Sequence, residues 1–225
     1  MGERPILFSA PMVRALLAGT KTQTRRAIKH RMGSRVWQEQ RPNGSLGWTT
    51  NLGHAYGNTT ALLCPYGQAG DQLWVREACW IYGQWHEEGT TKSGRCRWTF
   101  RPIGQRVRFD NPGHEHCAHW GRGPGWSHRP SIHMPRWASR IQLEVTGVRV
   151  ERLQDISEAD ALAEGLERMK LTTQAGGPLA AAPIPNAPWE PPRDAYGRLW
   201  ESINGAGSWG ANPWVWVVEF RRLKP

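Results

Sequence analysis

A lysine and three threonines stand beside two arginines in Gly19-Thr20-Lys21-Thr22-Gln23-Thr24-Arg25-Arg26. A lysine crowded by other cations loses its proton more readily than a solitary one. An unprotonated amine near a hydroxyl is one way to make a nucleophile. Lys21 and Thr24 are therefore a candidate base and nucleophile. The same residues are equally suited to holding a phosphate.

A second chemical group lies further along. Leu73, Val75, Cys79 and Ile81 alternate to one face of a strand expected over residues 71–82, and Glu77 falls within that apolar row. A carboxylate on a buried face needs a partner or a raised pKa. It is either one half of an ion pair with an arginine or a general acid or base. His133, Arg136 and Trp137 combine a hydrogen-bonding group, a phosphate binder and a stacking face, and each could equally be an ordinary loop residue. The run His114-Glu115-His116-Cys117-Ala118-His119 offers zinc-ligand types without the spacing of a finger or a zincin helix. It reads as a polar insertion loop, and neither a metal nor a cofactor is expected.

The elements that position these groups follow from pattern. Residues 5–8 read as a strand. Ser9 caps a helix with Pro11 in its first turn and an apolar stripe of Met12, Val13, Leu16 and Leu17. Gly19 ends it, so Lys21 and Thr24 belong to the exit loop or the next strand. Residues 31–62 read as a long loop with a hairpin near Asn43-Gly44. Cys96, Trp98 and Phe100 alternate with Arg95, Arg97 and Arg101, and residues 106–109 are expected to fold back on that strand across a turn at 102–104. A strand over 140–145 is broken by Gly147 and resumes over 148–153. Ser157 opens a helix with an inner stripe of Ala159, Leu162, Ala163 and Leu166. Residues 171–193 look like a flexible excursion. Tyr196, Leu199, Trp200 and Ile203 mark a last helix. The final strand alternates Trp214, Trp216, Val218 and Phe220 with Val215, Val217, Glu219 and Arg221, and is apolar enough on both faces to be central.

The order Gly19, Lys21, Thr24, Arg26 resembles the signature of the ASCH domains, a branch of the PUA-like β-barrels, and the Thr24 form is similar to small bacterial enzymes that hydrolyse N4-acetylcytidine. Gly70-Asp71-Gln72-Leu73-Trp74-Val75-Arg76-Glu77 fits the next strand of that family. The whole chain looks like longer ASCH-type proteins of tailed phages and prophages. Residues 4–29, 70–82, 131–166 and 196–222 carry the likeness. The resemblance implies an α+β fold, a single PUA-like, partly open β-barrel of five to six strands over residues 1–225 with flanking helices. Insertions fall at about 31–62, 83–130 and 168–195. It implies an amidohydrolase that removes an acyl group from N4 of cytosine in a nucleoside or nucleic acid, with Lys21 as base, Thr24 as nucleophile and Glu77 as proton donor. Arg26 would hold a carboxylate or the substrate, joined by His133, Arg136 and Trp137. The alternatives are a PUA-like reader of RNA or modified DNA without turnover and, more remotely, a ribonuclease.

Composition is consistent with both classes. The chain has 225 residues, enough to bury a sizeable core. Its net charge is +10, from 29 Lys and Arg against 19 Asp and Glu. Residues 1–41 and 81–140 are basic and 141–225 nearly neutral, so a basic face that attracts polyanions is expected if the first two segments meet. Fourteen tryptophans exceed what the core of one domain holds, and exposed ones among arginines suit base stacking. Four scattered cysteines read as free thiols. No run of about 18 apolar residues and no signal-peptide core occurs, so a cytoplasmic protein without a membrane span is expected.

Overall fold

The computed structural model describes residues 2–28, 36–40, 46–50, 60–61, 63–119, 123–166 and 191–223. In chain order the elements are β1 (Glu3–Leu7), α1 (Ala10–Ala18), β2 (Gln23–Ala27), β3 (Val36–Gln40), β4 (Leu46–Thr50), β5 (Thr60–Ala61), β6 (Gln72–Arg76), β7 (Cys79–Thr90), β8 (Cys96–Arg108), β9 (Gly125–Arg129), β10 (Gln142–Arg152), α2 (Glu158–Ala163), α3 (Pro192–Asn204) and β11 (Trp214–Leu223). This is a mixed α+β fold, mostly strands. A five-stranded sheet has the order β1-β6-β10-β11-β2, and two three-stranded sheets have the orders β3-β4-β5 and β8-β7-β9. None of these sheets closes on itself among the described residues.

The chain forms two compact units: residues 1–2, 14–72 and 144–222, and residues 3–13, 73–143 and 223–225. The first is built on β11. Val215 to Val218 are all buried, so the strand is covered on both faces, as its doubly apolar sequence predicts. Val215 and Val217 pack with Leu153, Ile156, Ala161, Tyr196 and Trp200 from the segments around α2 and α3. β11 pairs antiparallel with β2, placing Val218 opposite Thr24 and Val217 opposite Arg25. Ser157 caps α2 by accepting from the Asp160 amide. The buried positions of α2 are Ala161 and the following Glu164, while Ala159 is exposed, so the helix is turned from the expected stripe. The cause lies opposite it. β2 presents buried Gln23 and Arg25, which need polar partners and find them at Asp160 and Glu164. β10 runs through Gly147 without a break. A side chain there would meet only the movable carboxylate end of Glu219, at 2.7 Å, and the strand does not end at the glycine. β3 and β4 pair antiparallel, with Gln40 opposite Leu46, the expected hairpin. Asn43-Gly44 and the excursion at 171–190 lie outside the described residues.

In the second unit the expected strand over 71–82 is two strands. β6 belongs to the five-stranded sheet and β7 to a different one, and the change of partners interrupts the ladder at Glu77 and Ala78. Residues 106–109 do not fold back on 96–101. They continue β8, because β7 is twelve residues long and pairs with both segments. Gly83 pairs with Pro102 and Ile81 with Val107, so residues 103–106 stand against Tyr82 alone and form a bulge. A side chain at Gly83 would stand 2.3 Å from the Arg101 carbonyl oxygen, which explains the glycine. Cys79, Ile81, Phe100, Met134 and Ala138 make the core here, with Trp85, Val107, Phe109 and Trp137 against it. All four cysteines are free thiols. Among the described residues no helix is long and apolar enough to cross a membrane.

Candidate active site

Lys21 and Thr24 lie in the first unit, Glu77 in the second. α1 ends at Gly19, whose positive φ of 77° carries the chain out of the helix, as expected. The amides of Thr20 and Lys21 return to the Ala15 carbonyl. The chain then enters β2 through an isolated antiparallel bridge between Lys21 and Glu164. That bridge fixes the lysine against the end of α2. Its Nζ donates to the Glu164 backbone oxygen and to Glu164 Oε2, both at 2.8 Å. Both side chains are almost wholly out of water, at 0% and 3% exposure.

Burial pulls the Lys21 pKa below the ordinary lysine value; Glu164 opposes that, and the charges of Arg26 and Arg25 add to it. Arg25 sits among three carboxylates. Its Nη2 reaches Asp160 at 2.9 Å and Glu151 at 3.1 Å, and its Nη1 reaches Glu164 at 3.5 Å. Its buried Nε has no partner among the described residues. Arg149 adds a second guanidinium, bonded to Glu151, Asp160 and Glu219. Burial works against the Asp160 charge, but Arg25 and Arg149 outweigh it and hold its pKa low. Tyr196 is pushed well above its ordinary range, by burial first and then by the charge of Glu164. Lys21, Gln23, Arg25, Asp160 and Glu164 therefore form one polar cluster, buried except at Asp160, with Tyr196 within reach of the Glu164 charge.

Thr24 is also buried, at 2% exposure. The pleat of β2 puts it, with Arg26, on the face opposite Gln23 and Arg25. Glu77 is 5% exposed, as its place in the apolar row predicts, and of its two readings the ion pair is the one observed. Arg140 donates from Nε to Oε1 and from Nη2 to Oε2, each at 2.9 Å. This is the paired, bidentate form that best satisfies a carboxylate. Burial, and then the Glu77 charge, pushes the neighbouring Cys79 thiol up to about 11. Arg136 bonds Glu3, His133 is exposed, and Trp137 packs against the core of the second unit.

Glu164, the partner of Lys21, is the group that sequence reasoning missed. Two signals for it were present. Asp160 and Glu164 are spaced four apart, on one face of a helix. Gly165 follows directly, at a φ of 87°, and a side chain there would come within 2.7 Å of Ala15 Cβ and 2.9 Å of Lys21 Cβ. Gly165→Ala is accordingly expected to cost about 1–3 kcal/mol of stability, as an overpacked and backbone-strained substitution. Chemical denaturation measures it, and a loss below 0.5 kcal/mol (on the order of an ordinary surface change) contradicts the close approach.

The His114–His116 turn carries no metal constellation; among the described residues no three His, Cys, Asp or Glu side chains converge as ligands would. The cluster around Lys21 thus holds an amine whose pKa burial lowers, bonded to a carboxylate that opposes the shift. Comparison with family models, with curated proteins and with solved structures finds no match to this chain.

Proposed function

We propose that the protein is an amidohydrolase that removes an acyl group from N4 of a cytosine nucleoside or of cytosine in nucleic acid. The chain would be an ASCH member of the PUA-like group, with the five-stranded sheet as the open barrel. The reading draws on the Gly19, Lys21, Thr24, Arg26 signature. The observation that carries it is the buried Lys21 amine with its lowered pKa, placed three residues from a buried threonine hydroxyl. Such an amine is a base at a milder pH than a free lysine. The Thr24 oxygen attacks the acyl carbon, and its proton passes to Lys21. The pleat turns Thr24 away from the Glu164 contacts, so the direct transfer that the signature implies is the step the Lys21 and Thr24 variants test. The C–N bond breaks, the N4 amine leaves with a proton, and water then hydrolyses the acyl-enzyme. The signature gives the last proton to Glu77. Both oxygens of that carboxylate already accept from Arg140, so the proton is drawn instead from protonated Lys21, which completes its cycle. Glu164 keeps the amine in place.

A second reading is favoured by a specific observation: Lys21 and Glu77 are each held in an ion pair, with Glu164 and Arg140, as structural residues are. On that reading the protein is a PUA-like binder of RNA or modified DNA with no turnover. One assay separates the two. Cytidine release from N4-acetylcytidine is followed by absorbance with the full chain and with Glu77→Gln. The amidohydrolase releases cytidine, and Glu77→Gln stays within about tenfold of it, since a general acid would cost 10²–10⁴. Absence of release from any N4-acylated cytosine, with salt-sensitive nucleic-acid binding, establishes the binder.

A further inference from the structure

The second unit holds a cavity of about 530 Å³ lined by Trp80, Trp85, Trp126, His119, His128 and Ser127, with Cys117 and Ala118 completing the wall. Three elements bring these residues together. β7 supplies Trp80 and Trp85. β9 pairs along it, with Trp80 opposite His128 and Ile81 opposite Ser127. The segment at 117–118 closes the far side, where the Ala118 amide donates to the Trp126 carbonyl and Cys117 bridges Trp126. Gly125 permits that approach: a side chain there would stand 2.6 Å from the Ala118 nitrogen. None of the tryptophans is fully covered, and the His128 ring stacks obliquely on Trp80 at 5.1 Å between centroids.

Three indoles with imidazole and hydroxyl groups suit a flat heteroaromatic guest that also makes hydrogen bonds. Charge decides between a cationic and an anionic guest. β8 flanks the other edge of β7, with Arg108 opposite Trp80 and Arg101 opposite Gln84. It carries Arg97, Arg101, Arg106 and Arg108, while the carboxylates that meet them are Glu88, shared by two of them, and Asp110. Arg106 stands on the bulge of β8, is exposed, and lays its guanidinium on Tyr82 at 3.9 Å and near Trp126 at 5.6 Å. It meets no carboxylate among the described residues. A bulge is a means of re-aiming one side chain. An aromatic cage for an ammonium group would not be set beside this row of arginines. A base joined to phosphates fits both halves.

We infer that this cavity takes one unpaired base of a single-stranded nucleic acid, stacked on Trp126, with the flanking phosphates on Arg106 and the β8 arginines. The inference uses residues of the second unit only and does not depend on turnover at Lys21.

The test is fluorescence anisotropy of the full chain with a labelled twelve-nucleotide strand, in DNA and RNA forms. The controls are the same strand made abasic, its duplex, and a nucleoside monophosphate as competitor. The single strand is expected to bind best. Trp126→Ala should weaken it about five- to hundredfold, the cost of one lost base stack, and Trp126→Phe should recover most of that. Arg106→Gln, at an exposed site, should lower the slope of log affinity against log salt by about 0.7, one phosphate contact on a single strand. Equal affinity for the abasic strand or the duplex overturns the inference. So does a salt slope unchanged in Arg106→Gln, the readout that stands if Trp126→Ala fails to fold. A mononucleotide that displaces the strand at the strand's own affinity also overturns it, and gives the cavity to a free nucleotide.

Discussion

Glu164→Ala is expected to lower the free energy of unfolding by about 3–5 kcal/mol, the range for removing one partner of a buried ion pair. The Lys21 ammonium is left without the carboxylate 2.8 Å away, and Arg25 loses one of its three. Neither cation can turn to water, because both side chains are 0% exposed. Glu164→Gln keeps the shape and one acceptor oxygen, and should lose less. Urea denaturation with an unchanged m-value reads the difference. A midpoint for Glu164→Ala within error of the parent would mean that the pair is solvated and that Lys21 is not the buried amine described above.

Lys21→Met and Thr24→Val are each expected to reduce N4-acetylcytidine hydrolysis by about 10²–10⁴, the usual contribution of a positioned base or nucleophile. Methionine fills the lysine's stem and leaves Glu164 its contact with Arg25, so the fold should survive better than in Glu164→Ala. The pH profile distinguishes a base from a strut. Burial holds the Lys21 pKa below 10.5. Activity of the parent should therefore rise with pH to an inflection below 10.5 and then level.

Stability should follow the same group. Between the lowered folded pKa and 10.5 the unfolded chain carries more protons than the native one, so unfolding free energy climbs with pH. The gain is complete above 10.5 and is lost as pH falls through the folded value. Lys21→Met should lack that rise. A parent profile flat from neutrality to pH 10 would remove Lys21 from the mechanism.

The parts of the fold that could be read from the chain are those where burial and polarity agree. β11 is apolar on both sides and proved central. α1 shows its helix and the glycine that stops it. β2 was harder, because Gln23, Thr24 and Arg25 have the polarity of a surface segment and are 3% exposed or less. Only their partners reveal why. Those partners lie at Glu151, Asp160 and Glu164, more than a hundred residues later, and no local pattern reports a match at that range. Glu77 was placed correctly on a buried face, but its partner, Arg140, is 63 positions away. The break at Glu77 was hidden for a different reason. Alternation continues through it, and what changes is the neighbouring strand. Gly147 misled because a glycine weakens a strand without having to end it, and β10 runs on from Gln142 to Arg152.

The order of the five-stranded sheet leaves β2 at one end and β1 at the other. A terminal strand invites a copy of itself from another molecule to add on, and such addition starts fibrils. Each end is guarded by its own composition. β1 begins Glu3-Arg4-Pro5, two charges and a residue that has no amide hydrogen to offer. Along β2, Arg25 is an inward-pointing charge bonded to acids on its own chain, one of the devices that discourage a strand from docking at an edge. The inward ionic cluster that looks wasteful inside one molecule is thus also a barrier to self-templating, and a variant that replaces it with aliphatic side chains would gain in packing what it loses in keeping its copies apart.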